Sequence, residues 1–155
     1  MIASIVVGII TGVSAAWLSL WQARSLKLWE KREQSYLEVL NSLQAMYRVN
    51  GEFLDAYLED RDISPSKESA LRDVWREEQE KMFRHSELGE FLTSAQTEEV
   101  LRNLRKDLSK PHASYFEHLD SSGAALRHAL QTVKQVALAD RRQVPLTWFR
   151  TNNFP

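Results

Sequence analysis

The sequence contains no cysteine, and several residue patterns that mark enzymes are missing as well. Without cysteine, the chain has no disulfide framework, no thiolate ligand for zinc and no thiol nucleophile. It also lacks Walker-type and dinucleotide-binding glycine-rich loops and the His-Glu-x-x-His pair of zinc peptidases. The four histidines do not share the spacing of metal ligands on one helix face. We therefore predict neither a metal nor a cofactor.

Glycine and proline are scarce, with five and four residues in a chain of 155. Leu, Glu, Arg, Ala and Gln are plentiful, and no alternating run of Val, Ile or Thr indicates a β-strand. The predicted fold class is all-α, with a single N-terminal transmembrane helix that continues into a cytoplasmic antiparallel bundle of about four helices. The span covers residues 1–23, the bundle 24–140, and a basic and aromatic C-terminal tail 141–155.

Charged side chains are absent from the first 23 residues. The hydrocarbon core of a bilayer is about 30 Å thick and needs roughly 20 helical residues, which this run supplies. A cleaved signal peptide is the main alternative, but only the α-amine precedes the run, and Trp17 and Trp21 extend it beyond the small residues at 14–16. A buried core helix is the third interpretation, but the apolar residues of the run cover all faces of the helix rather than one stripe. Both tryptophans suit the headgroup level of a bilayer. A retained membrane anchor is therefore predicted.

The cations beside this run predict its orientation. Arg24, Lys27, Lys31 and Arg32 follow the run, whereas no Lys or Arg precedes it. Because positive flanks stay on the cytoplasmic side, the N-terminus is predicted outside and the remainder in the cytoplasm, most simply at a bacterial inner membrane. Arg24 and Lys27 join the two tryptophans as predicted membrane-interface residues.

Small residues recur every four positions in the predicted span, at Ser4, Gly8, Gly12 and Ala16. Residues four apart lie on one helix face, so these residues form a narrow strip against which another helix can pack closely. Gly8 and Gly12 make a GxxxG motif within the strip. The strip predicts a homo-oligomer assembled through the membrane helix.

Helical periodicity and capping signals divide the remaining residues into four helices. The first reaches about residue 60, the second spans 65–91, the third follows a capping box at 93–96, and the fourth spans 111–140 with Gly123 as a kink. The apolar residues that recur at helical spacing in the first helix are Leu26, Trp29, Tyr36, Leu40, Leu43, Tyr47, Phe53, Leu54, Tyr57 and Leu58. The predicted inner faces of the other three helices carry Leu71, Val74, Trp75, Met82, Phe91, Val100, Leu101, Leu104, Leu108, Tyr115, Leu119, Leu126, Leu130 and Val133.

Charges of the two signs are unevenly distributed, although the net charge is only −1. Residues 33–97 carry fourteen acidic and seven basic side chains, whereas 98–155 carry six and nine. The tail combines arginines with Trp148 and Phe149, a composition typical of segments that contact a membrane interface or a partner. Packing of both aromatics onto the bundle is the alternative. The predicted partners are a lipid bilayer, further copies of the chain, and a protein bound through the bundle or the tail.

Arg105 is followed by six residues and then by His112. This spacing resembles the motif of HEPN-fold ribonucleases, in which an arginine stands four to six residues before a histidine. Those proteins are helical bundles whose motif, paired across a dimer, cleaves RNA without metal. The resemblance covers eight residues and implies that Arg105 stabilises phosphate charge and His112 acts as acid or base. RNA is a predicted partner in this interpretation alone.

The functional prediction is a single-pass, self-associating membrane protein without enzymatic activity, acting as an oligomeric effector, pore subunit or scaffold. Small membrane effectors of bacterial antiphage systems resemble it in organisation, with one span, a helical cytoplasmic part and no catalytic motif. Two alternatives stay open. One is a membrane-tethered HEPN-like ribonuclease that uses Arg105 and His112, and the other is a small accessory subunit of a larger membrane complex.

Overall fold

The computed structural model describes residues 2–87 and 93–142, with side chains over 27–85 and 93–141. These residues form four helices and no strand: α1 (Ile2–Leu58), α2 (Pro65–Glu87), α3 (Ala95–Leu108) and α4 (Tyr115–Arg142). The predicted all-α class is confirmed. The last residues of the second predicted helix and the C-terminal tail, including Phe91, Trp148 and Phe149, lie outside the described residues.

The chain divides into two compact units, Met1–Gln34 and Ser35–Pro155. Within the part of the chain that the structure describes, no helix is sufficiently long and apolar to cross a membrane. The transmembrane and self-association predictions fall on 1–26, where side chains lie outside the described residues, so they stay predictions. The residues concerned are Ser4, Gly8, Gly12, Ala16, Trp17, Trp21 and Arg24. The second unit is called the helical unit below.

Helix α1 passes through Asn50 and Gly51 without a break and ends at Leu58, close to the predicted end. Its C-terminus forms a Schellman motif, since the Arg61 amide donates to the Ala56 carbonyl oxygen at 2.9 Å. Asp60 supplies the required left-handed residue, with φ 51°. Aspartate is one of the few non-glycine residues that adopt this conformation readily. The polar residues after α1 therefore terminate the helix where the sequence predicts a turn.

The start of α2 at Pro65 agrees with the prediction, whereas the starts of α3 and α4 need correction. For α3 the N-cap is Ser94, whose hydroxyl accepts from the Thr97 amide, rather than the predicted Thr93. For α4 the Ser114 hydroxyl accepts from the Glu117 amide at 3.1 Å, so the helix begins at Tyr115 instead of near Pro111. In both cases a serine hydroxyl that caps the helix decides its first residue.

Contacts within the helical unit establish antiparallel neighbours. Tyr36 near the start of this unit bonds Asp140 near the end of α4, whereas Tyr57 at the end of α1 contacts Tyr115 at the start of α4. Helix α2 also runs antiparallel to α1, because Lys67 near its start pairs with Glu52 late in α1, whereas Glu78 further along bonds Ser42 earlier in α1. Helix α3 packs against both α2 and α4. The predicted helical bundle is therefore present in the described part of the helical unit, with α2 and α4 antiparallel to α1.

The buried core occupies one part of the helical unit, which we call the closed half. It consists of Tyr36, Val39, Leu43, Met46, Met82, Leu101, Leu104, Leu126, Ala129, Val133 and Val136. Each fully buried aliphatic side chain stabilises the fold by about 1.5–3 kcal/mol relative to exposure. Among the described residues of α2, Met82 alone belongs to this cluster. Helices α1, α3 and α4 thus supply most of the core.

Two predicted inner positions and the predicted kink differ from the structure. Val74 and Tyr115 are exposed, because α2 turns Trp75, Gln79 and Met82 toward the bundle and α4 turns Leu119 inward. Gly123 does not kink α4, which is continuous from Tyr115 to Arg142. Instead, an added Cβ at Gly123 would lie 2.9 Å from the Asn50 side-chain nitrogen. The glycine is needed for close packing of α4 against α1.

Candidate functional site

The two residues of the ribonuclease-like motif have separate partners. The Arg105 guanidinium carbon lies 4.6 Å from the centre of the Phe83 ring, a cation–π contact between α3 and α2. The His112 ring lies 5.3 Å from the His118 ring, and the His112 Nε2 atom is buried without a hydrogen-bond partner in the described part of the chain. No hydrogen bond or ion pair between described residues joins Arg105 to His112. Their pairing for RNA cleavage stays a prediction.

Lys27 is the predicted membrane-interface residue whose side chain the structure describes, and it is exposed to solvent. The exposed side chains around it include Leu28, which is 64 % exposed, together with Lys31 and Arg32. These exposed cations and the exposed leucine are available to a bilayer surface, and their contact with one stays a prediction. Trp148 and Phe149 of the predicted interfacial tail lie outside the described residues.

A cleft of about 300 Å³ lies between α1, α2 and the start of α4. It was not predicted from the sequence, and it combines aromatic, amide and cationic side chains. We call it the arginine cleft. Its lining residues are Asn50, Phe53, Arg72, Trp75, Arg76, Gln79, Tyr115, His118 and Leu119.

One face of α2 forms the cationic wall of the arginine cleft. Arg72, Trp75, Arg76 and Gln79 follow the spacing i, i+3, i+4 and i+7, which places them on the same side of the helix. In a closed bundle this stripe would carry aliphatic residues. Two arginines cannot be buried there without matching charges, so the neighbouring helices leave the cleft open.

The charges of the cleft wall are positive. Arg72 donates two hydrogen bonds to Glu68, at 2.9 Å from Nε and 2.6 Å from Nη2. Arg76 approaches Asp73 at 3.4 Å, and both of these side chains are largely exposed. Neither carboxylate lines the cleft, and no Asp or Glu among the described residues does so. A region of the sequence with an acidic excess therefore contains a locally cationic cleft.

A second cleft of about 620 Å³ adjoins the arginine cleft and shares Phe53 and Tyr115 with it. It carries carboxylates, at Asp60, Asp62 and Glu68, with Arg61 as its cation. We call the end of the helical unit that holds both clefts the open half.

Three aromatic rings remain accessible at this end. The Tyr57 ring lies 6.0 Å from the Tyr115 ring and 5.9 Å from the Phe116 ring. Tyr57 and Tyr115 are each 51 % exposed and Phe116 is 40 % exposed. Tyr57 and Tyr115 line the second cleft, and exposed aromatics at a cleft are typical of a binding surface, whereas the Phe116 ring lines neither cleft.

A polar cluster between α1 and α2 contains a serine, a histidine and a glutamate. The His85 Nε2 atom lies 3.0 Å from Glu38 and its Nδ1 atom lies 3.4 Å from the Ser35 hydroxyl. These residue types occur in hydrolase triads, but Ser35 is 3 % exposed and emerges from the middle of a continuous helix. A buried hydroxyl in such a position cannot reach a substrate carbonyl. The cluster therefore holds α2 against α1.

A second bond across the same helix pair involves Glu78. The Ser42 hydroxyl donates to Glu78 Oε2 at 2.7 Å, and Lys81 donates to the other oxygen at 2.8 Å. The Lys81 ammonium, and to a smaller degree the Ser42 hydroxyl, hold the pKa of the Glu78 carboxyl below its usual value. The ionised carboxylate is thus the form that joins α1 to α2.

Among the described residues, no group of three or more His, Asp or Glu side chains could hold a metal ion. Comparisons with known proteins were equally without result. No protein-family model matches the chain, and no curated protein or solved structure is significantly similar to it.

Proposed function

We propose that the protein is a membrane-anchored, self-associating effector or scaffold whose helical unit faces the cytoplasm. The observation that carries this proposal is the run of 23 uncharged residues followed at once by Arg24 and Lys27. A run of this length suits a single span, and cations on one flank orient it. Pore formation by the assembled membrane helices is the most specific version of the proposal.

The strip of Ser4, Gly8, Gly12 and Ala16 supports self-association. Lipid provides no hydrophobic drive for helix pairing, so dispersion contacts across a strip of small residues become the main attraction. Bulky side chains at Gly8 and Gly12 would separate the two backbones and remove these contacts. A helical unit with an open cleft then gives each copy a surface for a further partner.

The experiment compares the full-length chain with a Gly8→Ile, Gly12→Ile variant and a matched control. Carbonate washing of bacterial membranes tests anchoring, and mass measurement in nanodiscs tests assembly. At about 100° per residue, Ala3 and Ser14 lie on the opposite side of the helix from the strip, so Ala3→Ile, Ser14→Ile is the control. We expect a defined oligomer for the wild type and the control, and a monomer for the glycine variant.

Other outcomes favour the alternatives. A chain that carbonate releases contradicts the membrane anchor. A wild-type monomer that co-purifies with larger membrane proteins from its native host supports an accessory subunit instead. Cleavage of RNA by the wild type, lost in Arg105→Ala and in His112→Ala with assembly unchanged, supports the ribonuclease.

A further inference from the structure

The walls of the arginine cleft offer flat apolar surfaces. Phe53, Trp75 and Tyr115 come from three different helices and line the same cavity. Phe53 and Trp75 are half-buried and Tyr115 is 51 % exposed, so their positions are held by the bundle while part of each ring surface remains accessible. A planar ring can stack on such side chains, as bases do in complexes of proteins with single-stranded nucleic acid.

The α2 wall offers donors for a phosphate. Arginine carries five N–H groups in a planar fork that matches phosphate oxygens. Arg72 donates two of its N–H groups to Glu68, which holds the guanidinium near Phe53. The guanidinium carbon lies 6.0 Å from the centre of the Phe53 ring. Arg76 has a long ion pair with Asp73 at 3.4 Å in an exposed position. Such an exposed pair contributes little to stability, so a phosphate can replace the aspartate at little cost.

Polar side chains at the base of the cleft can recognise a base edge. The Asn50 amide nitrogen donates to the Leu119 carbonyl oxygen at 2.9 Å, which fixes the side chain and leaves its amide oxygen as an acceptor. Gln79 and His118 add further hydrogen-bonding groups to the lining. The cleft therefore combines ring-stacking surfaces, phosphate donors and a polar floor.

From this combination we infer that the arginine cleft binds a nucleoside monophosphate group, with its phosphate on Arg76 and Arg72 and its base against Trp75 and Tyr115. The volume of about 300 Å³ is at the lower end for small-molecule sites and suits one nucleotide. The adjoining cleft carries Asp60, Asp62 and Glu68, which would repel a second phosphate there. The group is either a free mononucleotide or the terminal nucleotide of an RNA.

The test uses the full-length chain in detergent micelles and does not depend on the membrane proposal. Ligand-observed NMR titrations are made with AMP, CMP, GMP and UMP, and with adenosine and inorganic phosphate as the two halves of the ligand. We expect at least one monophosphate to bind saturably, and its nucleoside and phosphate alone to bind at least tenfold more weakly. A 5′-phosphorylated RNA hexamer separates the two sources.

Two pairs of variants locate the site. Arg76→Gln is expected to weaken monophosphate binding about tenfold, whereas Arg102→Gln, an exposed arginine paired with Glu98 outside the clefts, leaves it unchanged. Tyr115→Leu is expected to weaken it several-fold, and Phe116→Leu, whose ring lines neither cleft, leaves it unchanged. Circular dichroism checks that all four variants keep their helices.

The outcomes either support the inference or overturn it. Hexamer binding that is tighter than the monophosphate and lost in Arg76→Gln assigns the site to an RNA end, whereas equal or weaker hexamer binding assigns it to a free nucleotide. The inference is overturned if no monophosphate binds at millimolar concentration. It is also overturned if binding is the same in the wild type, Arg76→Gln and Tyr115→Leu.

Discussion

The two halves of the helical unit share their helices but differ in packing. In the closed half, α1, α3 and α4 bury Leu43, Leu101 and Leu126 almost completely. In the open half, α1 and α4 continue with Phe53 and Tyr115, which border the arginine cleft and remain partly accessible. A small helical unit can thus obtain its stability from one half and keep the other available for binding.

The difference originates in α2. Apart from Met82 and partly buried neighbours, this helix meets α1 through polar contacts, such as Ser42 with Glu78, His85 with Glu38, and Lys67 with Glu52. The exposed pair of Lys67 with Glu52 contributes about 0–1 kcal/mol, less than a buried leucine, whereas the contacts of Ser42 and His85 are partly buried. Because Met82 is the one described α2 residue buried in the core cluster, room for the cleft remains beside Arg72 and Arg76.

The largest change in the free energy of unfolding is expected when a leucine is replaced by alanine, and one such substitution is made in each half. Leu43→Ala in the closed half is expected to lower the free energy of unfolding by about 2–5 kcal/mol, because it leaves a cavity at a fully buried position. Leu58→Ala, at a residue that is 63 % exposed in the open half, should change it by less than about 0.5 kcal/mol. Urea unfolding of the full chain in detergent measures both. Equal losses would contradict the division into two halves.

A smaller effect is expected at Tyr36, where the closed half contains a buried phenol. Its hydroxyl donates to Asp140 at 2.5 Å and accepts from the Ser94 amide at 3.2 Å. Tyr36→Phe should cost about 1–2 kcal/mol at pH 8, because these bonds join α1 to α4 and to the start of α3. The unfolding free energy of both proteins, measured from pH 8 to pH 11, gives the difference.

The same pair of proteins has an expected pH dependence. Burial, followed by the hydrogen bond to Asp140, raises the pKa of the Tyr36 phenol. The folded state therefore retains the proton where the unfolded chain loses it, so this contribution is complete below the ordinary value of about 10 and declines as the pH rises above it. The advantage of the wild type over Tyr36→Phe should shrink above pH ~10. A constant advantage up to pH 11 would contradict this assignment.

The smallest effects are expected from two glycines of the helical unit. Gly123→Ala places a Cβ 2.9 Å from the Asn50 amide nitrogen and should disturb its bond to Leu119, with a net loss of about 1 kcal/mol. Gly51→Ala meets no atom within 4 Å and should gain up to about 1 kcal/mol from helix propensity. Opposite signs in thermal unfolding support the close approach of α4 to α1. A gain for both variants would exclude it.

Residue order along the chain is sufficient to predict several features of the fold. The absence of proline between 13 and 50 predicts a long first helix, and Pro65 after Ser64 predicts the start of α2. These features depend on residues within a few positions of one another, so the sequence contains the whole cause. The predicted core leucines Leu43, Leu101, Leu104 and Leu126 are buried for a related reason, since the helical period puts them on one face.

The sequence was less informative about which face of each helix points into the bundle and which residue caps it. Val74 and Leu71 fit a helical stripe as well as Trp75 and Gln79 do, and the choice between the two stripes depends on contacts with α1 and α4. A signal for the arginine cleft was nevertheless present, because Arg72, Trp75, Arg76 and Gln79 occupy an i, i+3, i+4 and i+7 stripe. Arginines on a stripe that also holds a tryptophan indicate a face that the bundle does not close over.

The sequence by itself determined the helical class, the approximate lengths of the helices, the absence of thiol chemistry and the uncharged N-terminal run. These properties follow from composition and from interactions between residues close in the chain. The tertiary structure alone decided that Asn50 meets Gly123, that Tyr36 bonds Asp140, and that Phe53, Arg76 and Tyr115 border one cleft. Such contacts join residues far apart in sequence, and they depend on how the helices pack, which no local pattern specifies.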